Sequence, residues 1–214
     1  MEGRFERKYK INGIEPQTVQ ANLMLHPAGF RVLYPDRRVN NIYFDTVDMA
    51  TFRQNVDGVN QRKKFRLRWY GEQINTIEKP QFEIKIKHNE LGTKEVTPFE
   101  DTGLEEMKIL TKRVNEKSGS FAPLFPVLLN SYLRSYYISA DGRFRVTIDR
   151  VLRYYSLLAT SRFLGFTIEE QGVILEIKYD KDNEQYADLV MQNMPYRNTK
   201  SSKYVNGVVL TSGV

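Results

Sequence analysis

This sequence predicts an antiparallel α+β fold, and three observations carry that reading. Lys and Arg recur at every second residue in Lys64-Phe65-Arg66-Leu67-Arg68-Trp69-Tyr70, in Phe82-Glu83-Ile84-Lys85-Ile86-Lys87 and in Phe144-Arg145-Val146-Thr147-Ile148-Asp149. Successive side chains of a strand point to opposite faces, so each segment has an apolar face and a mostly cationic one. Many such runs are joined by short turn signals, and only a few helical patterns interrupt them.

Taken in order, a first strand fits Arg4 to Ile11, where Phe5, Arg7, Tyr9 and Ile11 alternate with Glu6, Lys8 and Lys10. Pro16 marks a short helix that carries Val19, Leu23 and Leu25 and ends before Pro27. Asn40 to Thr46 reads as a strand and Asp48 to Asn55 as a short helix stopped near Gly58. Strands follow at Arg62 to Tyr70 and Gln81 to His88, and Asn89-Glu90-Leu91-Gly92 turns the chain into Lys94 to Phe99. Leu104 to Val114 and Phe121 to Leu129 are expected helices, the second limited by Pro123 and Pro126. Strands resume at Ser131 to Ser139, Arg143 to Leu157 and Val173 to Tyr179. Asn183 to Met194 has the spacing of an amphipathic helix, and Lys200-Ser201-Ser202-Lys203-Tyr204 closes the pattern.

With 214 residues, 41% of them hydrophobic, the chain is expected to form one domain over residues 1–214 with a packed core. Its formal charge of +6 suits a polyanionic partner without naming one. The absence of cysteine excludes disulfides, thiolate chemistry and Cys-based zinc sites, and suits a reducing compartment. The start, Met1 to Lys8, has no apolar h-region, and no run is long enough to span a bilayer, so a cytoplasmic protein is expected. No Walker loop, dinucleotide fingerprint or serine-nucleophile motif occurs. His26 and His88 form no metal-spaced pair; His26, before Pro27, reads as a loop residue.

Which strand face lies inside decides the function. The plain alternative is a half-solvated sheet, its charged faces in water. Against it, the faces are rich in Arg, whose fork suits bidentate phosphate binding. Acids also sit singly within basic rows: Glu6 beside Lys8, Glu83 beside Lys85, Glu176 beside Lys178. The helices need an apolar sheet face, and if they wrap the outside, the charges point into a barrel. Such an interior must be wet and hold anion and metal. Asp45 reads as a turn or capping residue, since Asp45-Thr46 opens the next helix. Tyr136-Tyr137, Tyr154-Tyr155 and Trp69 read as core or interstrand packing, with base stacking as the alternative use.

Ile42-Tyr43-Phe44-Asp45-Thr46, a short helix, then Phe65-Arg66-Leu67-Arg68-Trp69-Tyr70-Gly71 resemble the triphosphate tunnel metalloenzymes, the CYTH superfamily. Within that group the chain looks most like the VTC domain, the polyphosphate polymerase module of the vacuolar transporter chaperone complex. Arg7-Lys8-Tyr9, Glu83-Ile84-Lys85, Tyr132-Leu133-Arg134, Phe144 to Asp149, Leu175-Glu176-Ile177-Lys178 and Ser202-Lys203-Tyr204 extend the likeness, in order, over nearly the whole chain. The resemblance implies an antiparallel eight-stranded β-barrel, a tunnel with helices packed outside. It implies Arg66, Arg68, Lys85, Arg134 and Arg145 at the reacting phosphates. Lys8, Lys10, Lys87, Lys94, Lys178, Lys200, Ser202 and Lys203 would bind the rest of the substrate. Glu176 would be the principal ligand of Mg²⁺ or Mn²⁺, with Glu83 and Glu6 as further acids; hard carboxylates suit such ions.

Two departures stand out. Hydrolytic members begin Glu-x-Glu-x-Lys, whereas this chain has Arg4-Phe5-Glu6-Arg7-Lys8, losing one acid. In Lys94-Glu95-Val96-Thr97, Thr97 stands where VTC polymerases prefer a second Lys. The expected activity is transfer of the ATP γ-phosphoryl group to polyphosphate threaded from the other side of the tunnel. The alternatives are an inorganic or nucleoside triphosphatase using Glu6 or Glu83 to orient water, and a non-catalytic barrel binding polyphosphate or RNA. No DNA partner is expected; a membrane partner subunit is implied by analogy alone.

Overall fold

The computed structural model describes residues 4–89, 91–158 and 167–212; Met1 to Gly3 and Glu90 of the expected turn lie outside them. The chain runs β1 (Arg4–Ile11), α1 (Pro16–Met24), β2 (Arg31–Asp45), α2 (Ala50–Val56) and β3 (Gln61–Tyr70). It continues through β4 (Thr76–Ile77), β5 (Gln81–His88), β6 (Leu91–Pro98), β7 (Thr102–Gly103), α3 (Met107–Ser118), β8 (Phe125–Ile138) and β9 (Arg145–Ser156). Last come β10 (Thr167–Glu170), β11 (Val173–Asp180), α4 (Glu184–Met191) and α5 (Lys203–Ser212).

Eight strands close into a ring, in the order β9-β11-β1-β6-β5-β3-β2-β8 and back to β9, with every pairing antiparallel. β10 pairs with the later half of β9, and β4 pairs with β7 apart from the ring. Period-two alternation then assigns the faces. Phe65, Leu67 and Trp69 of β3, with Phe82 and Ile84 of β5, look outward and pack beneath Leu110 and Val114 of α3. Tyr9, Ile11, Val146, Ile148, Leu175 and Ile177 pack beneath Val19 and Leu23 of α1 and Ala187 and Val190 of α4. Each such side chain contributes about 1.5–3 kcal/mol by leaving water. The greasy faces therefore look out under helices, and the charged faces look in.

Two devices shape the interior. On β9, Val151 has φ 52 and the register with β8 slips between Ser131 and Leu133, inserting one residue. The slip switches parity, so Thr147 and Asp149 face inward before it and Leu152 and Tyr154 after it. The interior thereby changes from charged to apolar along one strand. Into the apolar end comes α5, whose Tyr204 and Val208 pack with Tyr43, Leu128, Leu152, Tyr154 and Ile174. Gly207 permits the approach: a Cβ there would lie 2.4 Å from Leu128 and 2.5 Å from Tyr154.

Some expected elements differ. Residues 121–129 are not a helix; they are a loop and the start of β8. Pro126 lacks an N–H and pushes Phe125 towards extended backbone, and Asn115 pins Leu124 through its N–H (2.8 Å) and its carbonyl (2.9 Å). β2 begins at Arg31, nine residues before the expected Asn40, and passes Pro35 with register irregularities. The closing residues Lys203 and Tyr204 open a helix that the sequence pattern did not announce. Asp45 is a capping residue as expected: its carboxylate accepts the N–H groups of Thr51 and Phe52, both at 2.8 Å, and also the Tyr204 hydroxyl at 2.6 Å. His26 lies in a loop, but buried, with Nε2 3.0 Å from the Val190 carbonyl oxygen.

Candidate phosphate tunnel

Inside the ring eight cations converge: Lys8 from β1, Lys64, Arg66 and Arg68 from β3, Lys85 from β5, Arg134 from β8, Lys178 from β11 and Lys203 from α5. Tyr43, Tyr132, Ser202 and Tyr204 complete the lining. Only four carboxylates balance them among the described residues: Glu6, Glu83, Asp149 and Glu176. Two are held by arginine forks. Arg134 binds Asp149 through Nε (2.6 Å) and Nη2 (2.7 Å), and Lys203 Nζ adds a third contact at 2.6 Å. Arg66 pairs with Glu83, Lys94 Nζ lies 2.8 Å from it, and Arg68 lies 3.8 Å away. The other two meet mostly lysines. Glu6 has Lys85 at 2.8 Å, Lys8 at 3.3 Å and Lys178 at 3.9 Å; Glu176 has Lys178 at 3.3 Å, Lys8 and Lys203 at 3.4 Å and Arg134 at 3.8 Å.

The field inside is strongly positive. Burial favours the neutral acids, yet Lys8, Lys85 and Lys178 hold Glu6 far below the ordinary carboxylate range. Lys203, Lys8, Lys178 and Arg134 do the same for Glu176, again against burial. Burial also pushes Lys85 down to about 8, with Lys8 and Lys178 adding to the effect and Glu6 opposing it. Lys64 falls well below its usual value, from burial first and then from Lys8, Lys85 and Arg62. Burial lowers both lysines first and neighbouring cations lower them further, which marks a surplus of positive charge that a polyanion would relieve. The Tyr132 phenol, which burial alone would raise, is lowered by Arg134 and Arg68; Arg68 Nη2 donates to it at 3.2 Å.

No group of three or more His, Asp or Glu side chains converges among the described residues. Mg²⁺ needs no such cage, since it binds through one or two carboxylates, retained waters and substrate phosphates. Glu176 is close enough to Glu6 to oppose its ionisation. Cross-strand from Glu176 lies Thr147, whose buried hydroxyl has no hydrogen-bond partner among the described residues. Two carboxylates and an orphaned hydroxyl are a donor set that would fit a hydrated divalent cation.

The structure thus brings Lys8, Arg66, Arg68, Lys85, Arg134, Lys178, Ser202, Lys203, Glu6 and Glu176 together, with Glu83 and Lys94 immediately behind them. Lys10 lies nearer α5 and pairs with Glu170 at 2.5 Å. Arg145, opposite Lys178 in register, is exposed at the rim. Lys87 is half-buried near the turn end of β5, and Lys200 is exposed before α5. Arg4 pairs with Asp180 at 2.9 Å, a rim contact with no acid to give the interior. Thr97 is exposed and pairs in register with Phe82 of the outer face, so a lysine there would point away from the tunnel. Unassigned by the motifs were Lys64, Tyr132 and Asp149. Each shares strand parity with an assigned residue (Arg66, Arg134 and Arg145), and parity could have found all three.

A closed antiparallel ring with cations inside and helices outside defines a triphosphate tunnel protein. Two solved structures share this fold: a candidate adenylate cyclase from Vibrio parahaemolyticus (TM-score 0.55, 15% identity, 95% of this chain and 98% of that one), and a candidate adenylyl cyclase from Hippeastrum with a dominant triphosphatase activity (TM-score 0.51, 15% identity, 95% and 93%). No curated protein matches the chain. The VTC domain model matches residues 4–211, and the chain belongs to that family. No helix among the described residues is long and apolar enough to cross a membrane.

Proposed function

We propose that this protein is a metal-dependent phosphotransferase that moves the γ-phosphoryl group of ATP onto the end of a polyphosphate chain. The observation that carries the reading is the cation surplus inside the ring, eight cations against four acids, with the pKa values of Lys64 and Lys85 lowered by burial and by neighbouring cations. Membership of the VTC domain family supports it.

Phosphoryl transfer needs in-line placement and neutralisation of spreading charge more than covalent help. Arg66, Arg68 and Arg134, each with Nε and Nη2 already engaged, offer their remaining guanidinium N–H groups to equatorial phosphate oxygens, while Lys8, Lys178 and Lys203 supply point charges. Ser202 and Tyr132 add hydroxyl donors. Glu6 and Glu176 would hold Mg²⁺ or Mn²⁺, which would neutralise phosphate charge when bound. Asp149 and Glu83 keep Arg134 and Arg66 oriented. A terminal phosphate, with a second pKa of about 6 like that of phosphoserine, is already an anion at neutral pH and attacks without a general base. Glu6, Glu83, Asp149 and Glu176 are each paired with cations, and Arg4 replaces the first acid, which favours transfer over water activation. Because α5 packs on β8, β9 and α2, the acceptor would pass Lys64 and Ser202 rather than cross an open far end.

Incubation with ATP and Mn²⁺, followed by gel separation, tests the reading. A ladder of long polyphosphate is expected; ADP and free phosphate alone would establish the triphosphatase instead. Arg66→Glu is expected to abolish ATP binding, and intact binding would refute the site.

A further inference from the structure

The tunnel's two ends differ, and the end away from α5 carries a feature the phosphate chemistry does not use. Along β3, Lys64 donates to Ser202 just before α5, at 2.9 Å; Tyr70 lies six residues further on the same face, about 20 Å away at strand rise. Along β8, Tyr136 follows Arg134 on the inward face, and its phenol senses Arg134, Tyr70, Tyr132 and Arg68. Between these rings sits Arg37 of β2. Its guanidinium carbon lies 5.4, 5.9 and 5.8 Å from the ring centres of Tyr34, Tyr70 and Tyr136.

The arrangement takes an irregular strand. Tyr34 and Arg37, three residues apart, would face opposite ways in regular β structure; the register shift between them, at Pro35, turns both towards Tyr136. Arg37 also has no carboxylate partner among the described residues, although its neighbours do: Asp36 pairs with Arg150 and Arg38 with Glu72. Tyr34 and Tyr70 remain 49% and 42% exposed. A planar cation without a carboxylate partner, opposite Arg134 in register, amid partly open rings of which Tyr70 and Tyr136 lie two residues (about 7 Å) beyond Arg68 and Arg134, is built to receive a flat aromatic group attached to the phosphates.

We infer that Arg37, Tyr34, Tyr70 and Tyr136 form a nucleobase platform at the tunnel mouth. This rests on the phosphate reading of the tunnel and adds to it a means of telling nucleoside triphosphates from inorganic triphosphate. The platform stacks on the π-face of the base and carries no hydrogen-bond code for its edge, so purines of either kind are accepted.

Calorimetry on the full chain with ATP, GTP and inorganic triphosphate tests this in wild type, Arg37→Ala and Tyr70→Ala. Both nucleotides are expected to bind about tenfold more weakly in each variant, the scale of one lost base stack. Inorganic triphosphate is expected to bind as in wild type, which also shows that the variants fold. Arg37→Lys, keeping charge without the plane, is expected to lose nucleotide affinity nearly as far as Arg37→Ala. Unchanged nucleotide affinity in both truncations overturns the platform. Equal weakening of all three ligands also overturns it, since Arg37 would then act as a remote charge. A wild type that binds none of them would instead overturn the tunnel reading underneath.

Discussion

Four carboxylates enter the same positive interior, yet they form two unlike pairs. Asp149 and Glu83 are each clasped by an arginine: Arg134 grips Asp149 with two nitrogens at 2.6 and 2.7 Å, and Arg66 binds Glu83. Glu6 and Glu176 sit chiefly among lysine ammonium groups at 2.8–3.9 Å, with Arg134 grazing Glu176 at 3.8 Å. A planar fork fixes its acid and is fixed by it, whereas an ammonium is a point charge that swings aside on a flexible stem. The first pair shapes the tunnel wall; on the proposed function, the second would exchange a lysine for a metal ion.

Asp149→Asn presses hardest on that difference. It leaves Arg134 and Lys203 buried with only the more distant Glu176, at 3.8 and 3.4 Å, as counter-charge, and breaking such a buried pair costs about 3–5 kcal/mol. Denaturant unfolding should show that loss, with Glu6→Gln, whose lysines can reach water, costing clearly less. Equal losses from the two substitutions would erase the distinction between clasped and lysine-ringed acids.

Glu176→Gln probes the other pair. In the presence of a non-hydrolysable ATP analogue, Mn²⁺ affinity measured by electron paramagnetic resonance should fall by about 100-fold or more. Outer-shell changes around metals alone cost 10–100-fold, and a lost ligand should cost at least as much. Glu83→Gln should leave Mn²⁺ affinity nearly unchanged while lowering stability. Should Glu83→Gln remove Mn²⁺ and Glu176→Gln retain it, the pairs have been assigned the wrong way round.

How much of this was readable in the sequence follows from the range of each signal. Strand parity is local, so Lys64, Arg66 and Arg68 declare a shared face within five residues, and Glu176 and Lys178 do likewise. The inward orientation of those faces was readable through a conflict: helices needing apolar cover and strands offering it on one side only. The parity switch at Val151 was hidden, because nothing in Arg150-Val151-Leu152 marks an inserted residue. The plug was hidden for a different reason. Lys203 to Ser212 is a short segment broken by Asn206 and Gly207, and its place is set by Leu128 and Tyr154, some fifty to eighty positions earlier. Arg37 and its tyrosines come from three strands and meet only when the ring closes. The helix expected at residues 121–129 failed through Pro126, whose restriction of Phe125 outweighed the apolar spacing.

The smallest effect separates lysines that are surplus from lysines that are matched. Lys85 touches Glu6, but burial and the neighbouring Lys8 and Lys178 leave it with a pKa of about 8. On the proposed function, a bound polyphosphate tail would surround it with negative charge and raise that pKa. The bound state then holds a proton that the free state has lost above pH 8, so binding takes up a proton there. By linkage, affinity is full below pH 8 and falls as pH rises through 8, by at most about tenfold per pH unit. ATP keeps a constant phosphate charge over this range, since its terminal pKa near 6 lies well below it. Titrations from pH 7.5 to 9.5 should show the decline in wild type. Lys85→Arg, permanently charged, should flatten it, leaving only the share that Lys64 carries. A wild-type profile that stays level to pH 9.5 would mean Lys85 is fully charged in the empty tunnel, and the interior less positive than its cation surplus requires.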